Sequence, residues 1–139
     1  MTAASVGVVL DASSAVALLV DAGPSGTWVA DTVRGQSLSA PELMPFEVSN
    51  VLRRQVLAGV LDASSAALAH ADLLALPVDL YPYAGLGERV WQLRQHVTSY
   101  DASYVALAEI LGATLVTLDK RLARAHGTHC AMAAYPGPS

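Results

Sequence analysis

Short apolar runs alternate with segments of helical periodicity along this chain. Val-Gly-Val-Val-Leu at 6–10 reads as a buried parallel strand ended by Asp11. Asp11-Ala-Ser13-Ser14 then caps a helix over 15–20 that stops before Gly23-Pro24. A second helix is predicted over 26–33, and 37–40 is a weak strand. Pro41 and Pro45 bracket a turn, with Pro45 at the first position of a helix over 46–58, where its missing N–H is harmless. That helix turns Val48, Val51, Leu52 and Val56 inward and stops at Gly59. Asp62 caps another helix over 63–76, with Leu68, Leu73 and Leu76 as its apolar positions. A strand follows over 78–81, then a helix over 86–97 with Val90, Leu93 and Val97 on one side.

The densest pattern lies in the last third. Asp101 stands where an N-cap belongs, and Gly112 where a helix-ending glycine belongs. Between them Tyr104, Ala108 and Leu111, with Val105 and Leu107 beside them, form an apolar face. The β-prone run 114–118 is closed by Asp119; 130–134 is a candidate edge strand, and 136–138 a frayed end. Strands alternating with helices predict one three-layer α/β domain over residues 1–139, with a central parallel, doubly wound sheet flanked by helices. Helix starts and strand C-terminal ends share one edge of such a sheet, and ligands bind there.

Composition narrows the class. A chain that is 53% hydrophobic and 14% charged packs a core. No apolar run approaches the roughly 20 residues that span a bilayer. The N-terminus lacks the basic segment of a signal peptide, and the single Cys130 excludes an internal disulfide and a cysteine metal set. A soluble cytoplasmic protein is expected. The net charge of −4 argues against a grip on nucleic acid by bulk electrostatics, but bound metal ions would reverse the sign locally. Arg53-Arg54, and Lys120-Arg121 with Arg124, are locally dense and read as solvated helix faces.

Four carboxylates change the picture: Asp11 and Asp119 after strands, Glu47 in a helix's first turn, Asp101 at a helix start. Each alone is a cap or turn former. Together they converge on one sheet edge, where two such charges at about 4 Å repel by roughly 4 kcal/mol at an effective dielectric near 20. A proton or a cation must offset that repulsion. Hard oxygen ligands without a histidine or cysteine partner suit Mg2+ or Mn2+. Ser13 and Thr117, two residues from Asp11 and Asp119, are placed to add hydroxyls, and ions held there would activate water and stabilise phosphoryl charge. Other acidic sites fail on single residues: position 13 is Ser where a haloacid-type phosphatase needs Asp, and position 15 is Ala where an integrin-like metal site needs Ser. No phosphate-binding Gly-rich loop precedes a helix, and the four histidines are scattered.

With these residues in place the chain resembles a PIN domain of the VapC toxin type. The motifs are Val-Val-Leu-Asp11-Ala-Ser13-Ser14, Pro45-Phe-Glu47-Val-Ser-Asn50-Val-Leu-Arg53, and Tyr100-Asp101-Ala-Ser-Tyr104-Val-Ala-Leu-Ala-Glu109 running into Leu115-Val-Thr117-Leu-Asp119. The resemblance implies an Mg2+- or Mn2+-dependent endoribonuclease with Asp11, Glu47, Asp101 and Asp119 around the metal and Ser13, Thr117 and Asn50 supporting. It also implies a homodimer, structured RNA as substrate and inhibition by a VapB-type antitoxin. Some relatives carry a further acid just after the last one, whereas Lys120 and Arg121 follow Asp119 here. A catalytically silent binding module and a metal-dependent deoxyribonuclease are the other readings.

Overall fold

The computed structural model describes residues 7–138; Val6, which opens the expected first strand, and the rest of the N-terminal hexapeptide lie outside them. In chain order the elements are β1 (Val8–Leu10), α1 (Ala12–Val20), α2 (Pro24–Val33), β2 (Leu38–Pro41), α3 (Leu43–Leu57) and α4 (Ala63–Ala75). Then come β3 (Val78–Tyr81), a short 3-10 turn, α5 (Gly87–Gln92), α6 (Ser99–Leu111), β4 (Thr114–Thr117), α7 (Lys120–Ala123) and β5 (Met132–Ala134). No helix among the described residues is long and apolar enough to cross a membrane.

All strand pairings are parallel, in the order β3-β2-β1-β4-β5. The chain grows outward from β1 in one direction, then returns to start again at β4. Right-handed crossovers therefore put α1–α4 on one face and α5 and α6 on the other. The reversal falls between β1 and β4, and ligands of open α/β sheets bind beside such a point, outside the strand C-termini.

Burial follows this order. β1 and β2 are buried throughout, whereas the edge strands β3 and β5 are only partly covered. Helix α6 is buried at every position from Ala102 to Ala108, and its three alanines there let it lie close against β1, β2 and β4. On the other face α2 crosses the end of α1 so tightly that a Cβ at Gly26 would collide with the Asp21 carbonyl oxygen. Ser14 Oγ donates to the Val116 carbonyl at 2.7 Å and pins the start of α1 to β4.

Some boundaries differ from the sequence expectations for local reasons. Pro41 is the last residue of β2, opposite Tyr81, and the next ladder bond comes from the Glu42 amide to the Tyr81 carbonyl at 2.9 Å. Helix α3 therefore starts at Leu43, which moves Pro45 to its third position, still within the turn whose N–H groups need no helical partner. The expected helix over 86–97 is helical only to Gln92; Leu93 and His96 then bond three residues back and wind the chain into tighter turns. Leu68 is 67% exposed because the inward stripe of α4 runs through Ala69 and Leu73.

Candidate active site

Asp11 follows β1 with extended backbone (φ −78°, ψ 171°) and is only 5% exposed. Its Oδ1 accepts from the Ser14 amide at 2.9 Å and the Ser13 hydroxyl at 2.7 Å, which caps α1. Its Oδ2 accepts from the Thr117 hydroxyl at 2.5 Å. The register sets this up: Leu10 lies opposite Val116, so the next residues of the two strands sit side by side. Ser13 Oγ in turn accepts from the Leu118 amide at 3.1 Å, and Thr117 Oγ1 from the Asp119 amide at 2.9 Å. Two hydroxyls thus tie Asp11 to the backbone that carries Asp119. Burial pushes the Asp11 carboxyl above its ordinary pKa, against hydrogen bonds from Thr117, Ser13 and Ser14 that favour its charge.

Glu47 lies in the second turn of α3, not the first, because that helix begins at Leu43. Its Oε1 accepts from the Tyr104 hydroxyl of α6 at 2.6 Å. Burial raises the Glu47 carboxyl despite this bond, and the negative charges of Asp101 and Asp11 raise it further. Tyr104 itself is 2% exposed, and burial together with the Glu47 carboxylate holds its hydroxyl well above the usual tyrosine range.

Asp101 is the third residue of α6 and not its N-cap. Thr98 caps the helix, its Oγ1 accepting from the Asp101 amide at 3.1 Å. The Asp101 carboxylate, relieved of capping, is raised by burial and by the charges of Asp119 and Asp11, while Arg121 opposes them. Asp119 caps α7 through the Arg121 amide at 2.9 Å and the Leu122 amide at 3.4 Å.

The repulsions run from Glu47 to Asp101 and Asp11, and from Asp101 to Asp119 and Asp11. These four side chains form one electrostatic cluster at the strand C-terminal edge, beside the switch point. Asp101 and Asp119 open onto a cleft of about 440 Å³ that Thr98, His96, His126 and Arg121 also line. Asn50 is exposed one turn beyond Glu47 and makes no hydrogen bond to the carboxylates among the described residues. Reading the sequence assigned Tyr104 only to the core and missed its bond to Glu47; the available signal was a tyrosine on an apolar helix face, since a buried phenol needs a partner.

Chemically, the cluster offers hard oxygen donors; burial raises the proton affinity of Asp11, Glu47 and Asp101, and a divalent cation would offset both the lost hydration and the repulsion among them. Among the described residues no three His, Cys, Asp or Glu side chains stand together in a metal-holding arrangement.

Comparison with known proteins agrees with this architecture. The family model described as PIN domain matches residues 8–127. Ribonuclease VapC12 of Mycobacterium tuberculosis is 39% identical over 86% of this chain and 92% of its own length. Ribonuclease VapC1 of the same organism is 42% identical over 88% of this chain and 92% of its own length. Among solved structures, PAE2754 from Pyrobaculum aerophilum superposes with a TM-score of 0.69 at 26% identity, covering 94% of this chain and 85% of the other. Mycobacterium tuberculosis VapC20, at 17% identity and a TM-score of 0.66, shares the fold over 88% of this chain and 96% of its own. The chain belongs to the PIN-domain family, among its VapC-type ribonucleases.

Proposed function

We propose that this chain is a divalent-metal-dependent endoribonuclease toxin whose metal is held by Asp11, Glu47, Asp101 and Asp119. The observation that carries this reading is the gathering of these acids beside the sheet's switch point: Thr117 and Ser13 tie the buried Asp11 to the backbone that carries Asp119, and Asp101 lies close enough to Asp119, Asp11 and Glu47 for their charges to repel. Family membership supports RNA as the substrate, since the relatives at 39–42% identity are named ribonucleases.

Bound Mg2+ or Mn2+ supplies an acidified water and offsets charge on the phosphate under attack. The chain's own residues prepare that site. Ser13, Thr117 and the Ser14 amide hold Asp11 in one orientation, and Tyr104 does the same for Glu47. Asp101 and Asp119 face the cleft through which substrate enters. Fixed donors of this kind spare the site reorganisation when the phosphoryl group gains charge.

Resemblance to VapC toxins supports a cytoplasmic homodimer restrained by a VapB-type antitoxin. Such a partner would insert an Arg or Lys among the carboxylates and compete with the metal. Its tail would lie along the rim of the 15–19 and 48–52 segments, against the partly exposed Val16, Leu19 and Ser49, because Ala15, Ala17, Val48 and Leu52 are buried in the core. Mapping the 5′ ends of cellular RNA after a pulse of expression tests the reading and names the substrate. New ends that appear with the wild-type chain and not with Asp11→Asn support it; identical end profiles would refute it.

A further inference from the structure

Three of the chain's eight basic side chains, Lys120, Arg121 and Arg124, fall within five positions directly after Asp119. Helix α7 and its C-terminal cap Arg124 carry them from the end of β4, so the fold delivers this charge to the same edge as the carboxylates. With Ser13, Leu118 and Asp119 they line a shallow cleft of about 500 Å³. Arg121 also lines the neighbouring cleft onto which Asp101 and Asp119 open, so the two depressions share Asp119 and Arg121.

Local ion pairing does not use up this charge. The one contact, Arg121 Nε to Asp119 Oδ1, is 3.6 Å long with the arginine side chain 89% exposed, a geometry that contributes little. Lys120 and Arg124 form no ion pair among the described residues. Arg89, by contrast, is spent on a fork to Glu109. In a chain of net charge −4, a cationic rim against an anionic site has a specific use. A polyanion whose one phosphate must approach four carboxylates needs its neighbouring phosphates held from outside the cluster.

We propose that Lys120, Arg121 and Arg124 form a phosphate-binding rim that holds the RNA backbone next to the cleaved bond, so that the strand leaves the carboxylate site over α7. This rests on the ribonuclease reading and adds a direction to it. Arg121, at the junction of the two clefts, takes the phosphate nearest the carboxylates. Lys120 and Arg124 take those farther along. Guanidinium groups offer two parallel donors to a phosphate, which suits Arg121 and Arg124 to fix orientation as well as charge. These are positioning residues; none acts on the reacting atoms.

The test reads binding without turnover. A short fluorescein-labelled single-stranded RNA is titrated with full-length protein in the Asp11→Asn background, in magnesium, over a series of salt concentrations. Each phosphate contact contributes about 0.7 to the slope of log K against log salt for a single strand. Arg121→Ala and Arg124→Ala should each weaken binding and take about 0.7 off that slope. Arg34→Ala, which removes equal charge at an exposed pair with Asp31, should change neither. In the otherwise wild-type chain, Arg121→Ala should raise KM for RNA more than it lowers kcat. A slope left intact in the Arg121→Ala/Arg124→Ala double variant would overturn the rim. Failure of the ribonuclease reading looks different: the wild-type chain would leave RNA uncut while rim-dependent binding persisted.

Discussion

Tyr104 donates its hydroxyl to Glu47 Oε1 at 2.6 Å, joining α6 on one face of the sheet to α3 on the other above the strand C-termini. A single hydrogen bond thus closes the two helical layers over the acidic site. It also presents one carboxylate in a fixed orientation at the edge where Asp11 emerges.

Replacing Tyr104 by Phe keeps the packing and removes only the donor. The Glu47 carboxylate, already raised by burial, should rise further because the bond that opposes the shift is gone. Urea denaturation at neutral pH should show a loss of about 1 kcal/mol, the usual scale for such a bond. RNA cleavage should fall several-fold and its acid limb should move to higher pH.

Asp11→Asn should lower RNA cleavage by about 100-fold or more while the fold persists. Asn can still accept from the Ser14 amide and can donate to Thr117 Oγ1. The stability effect in EDTA has a defined sign. The Asp11 carboxyl is raised in the fold, so its contribution is fully present below the unfolded carboxyl pKa and is lost as pH rises through the folded value. The variant should therefore gain melting temperature over wild type at neutral pH and gain less at acid pH. Added Mn2+ should raise the wild-type melting temperature and leave the variant's nearly unchanged.

A second acid behaves in the opposite way. Burial works against the Glu109 carboxylate, but Arg89 and the His129 amide outweigh it and hold its pKa below the ordinary value. Arg89 reaches Glu109 through Nε at 2.7 Å and Nη2 at 3.2 Å, and its Nη2 also donates to the Gly127 carbonyl at 2.7 Å. The stabilisation is present above the unfolded carboxyl pKa and is lost as pH falls through the folded one. Arg89→Ala should destabilise the chain by about 2 kcal/mol at neutral pH, with a smaller deficit in acid, as measured by denaturant titration. Proteolysis of the segment that carries His126 should quicken in the same variant.

Much of this was legible because strand ends and caps have local signatures. Asp11 and Asp62 cap the helices that follow them through serine amides three residues on, and Gly112 takes the left-handed conformation (φ 63°) expected of a helix-ending glycine. Asp101 was misplaced because Thr98 is an equally good cap three residues earlier, and the bond from the Asp101 amide to the Thr98 hydroxyl that makes Thr98 the cap is not written in the sequence. The Tyr104–Glu47 bond was invisible for a related reason. Its partners are 57 residues apart on opposite layers, and only the fold brings them together. The exposure of Leu68 likewise depends on which stripe of α4 meets α3 and α1, which periodicity alone left open.

The carboxylate cluster is proposed as a metal site for RNA hydrolysis. It is tested most directly by the rate of RNA cleavage by metal-free protein as Mg2+ is titrated in, beside Asp11→Asn purified in parallel. The rate should be negligible in EDTA, rise to saturation with Mg2+, and stay near background in the variant at every concentration. Cleavage that proceeds equally in EDTA, or undiminished in Asp11→Asn, would rule out a metal site built on these carboxylates.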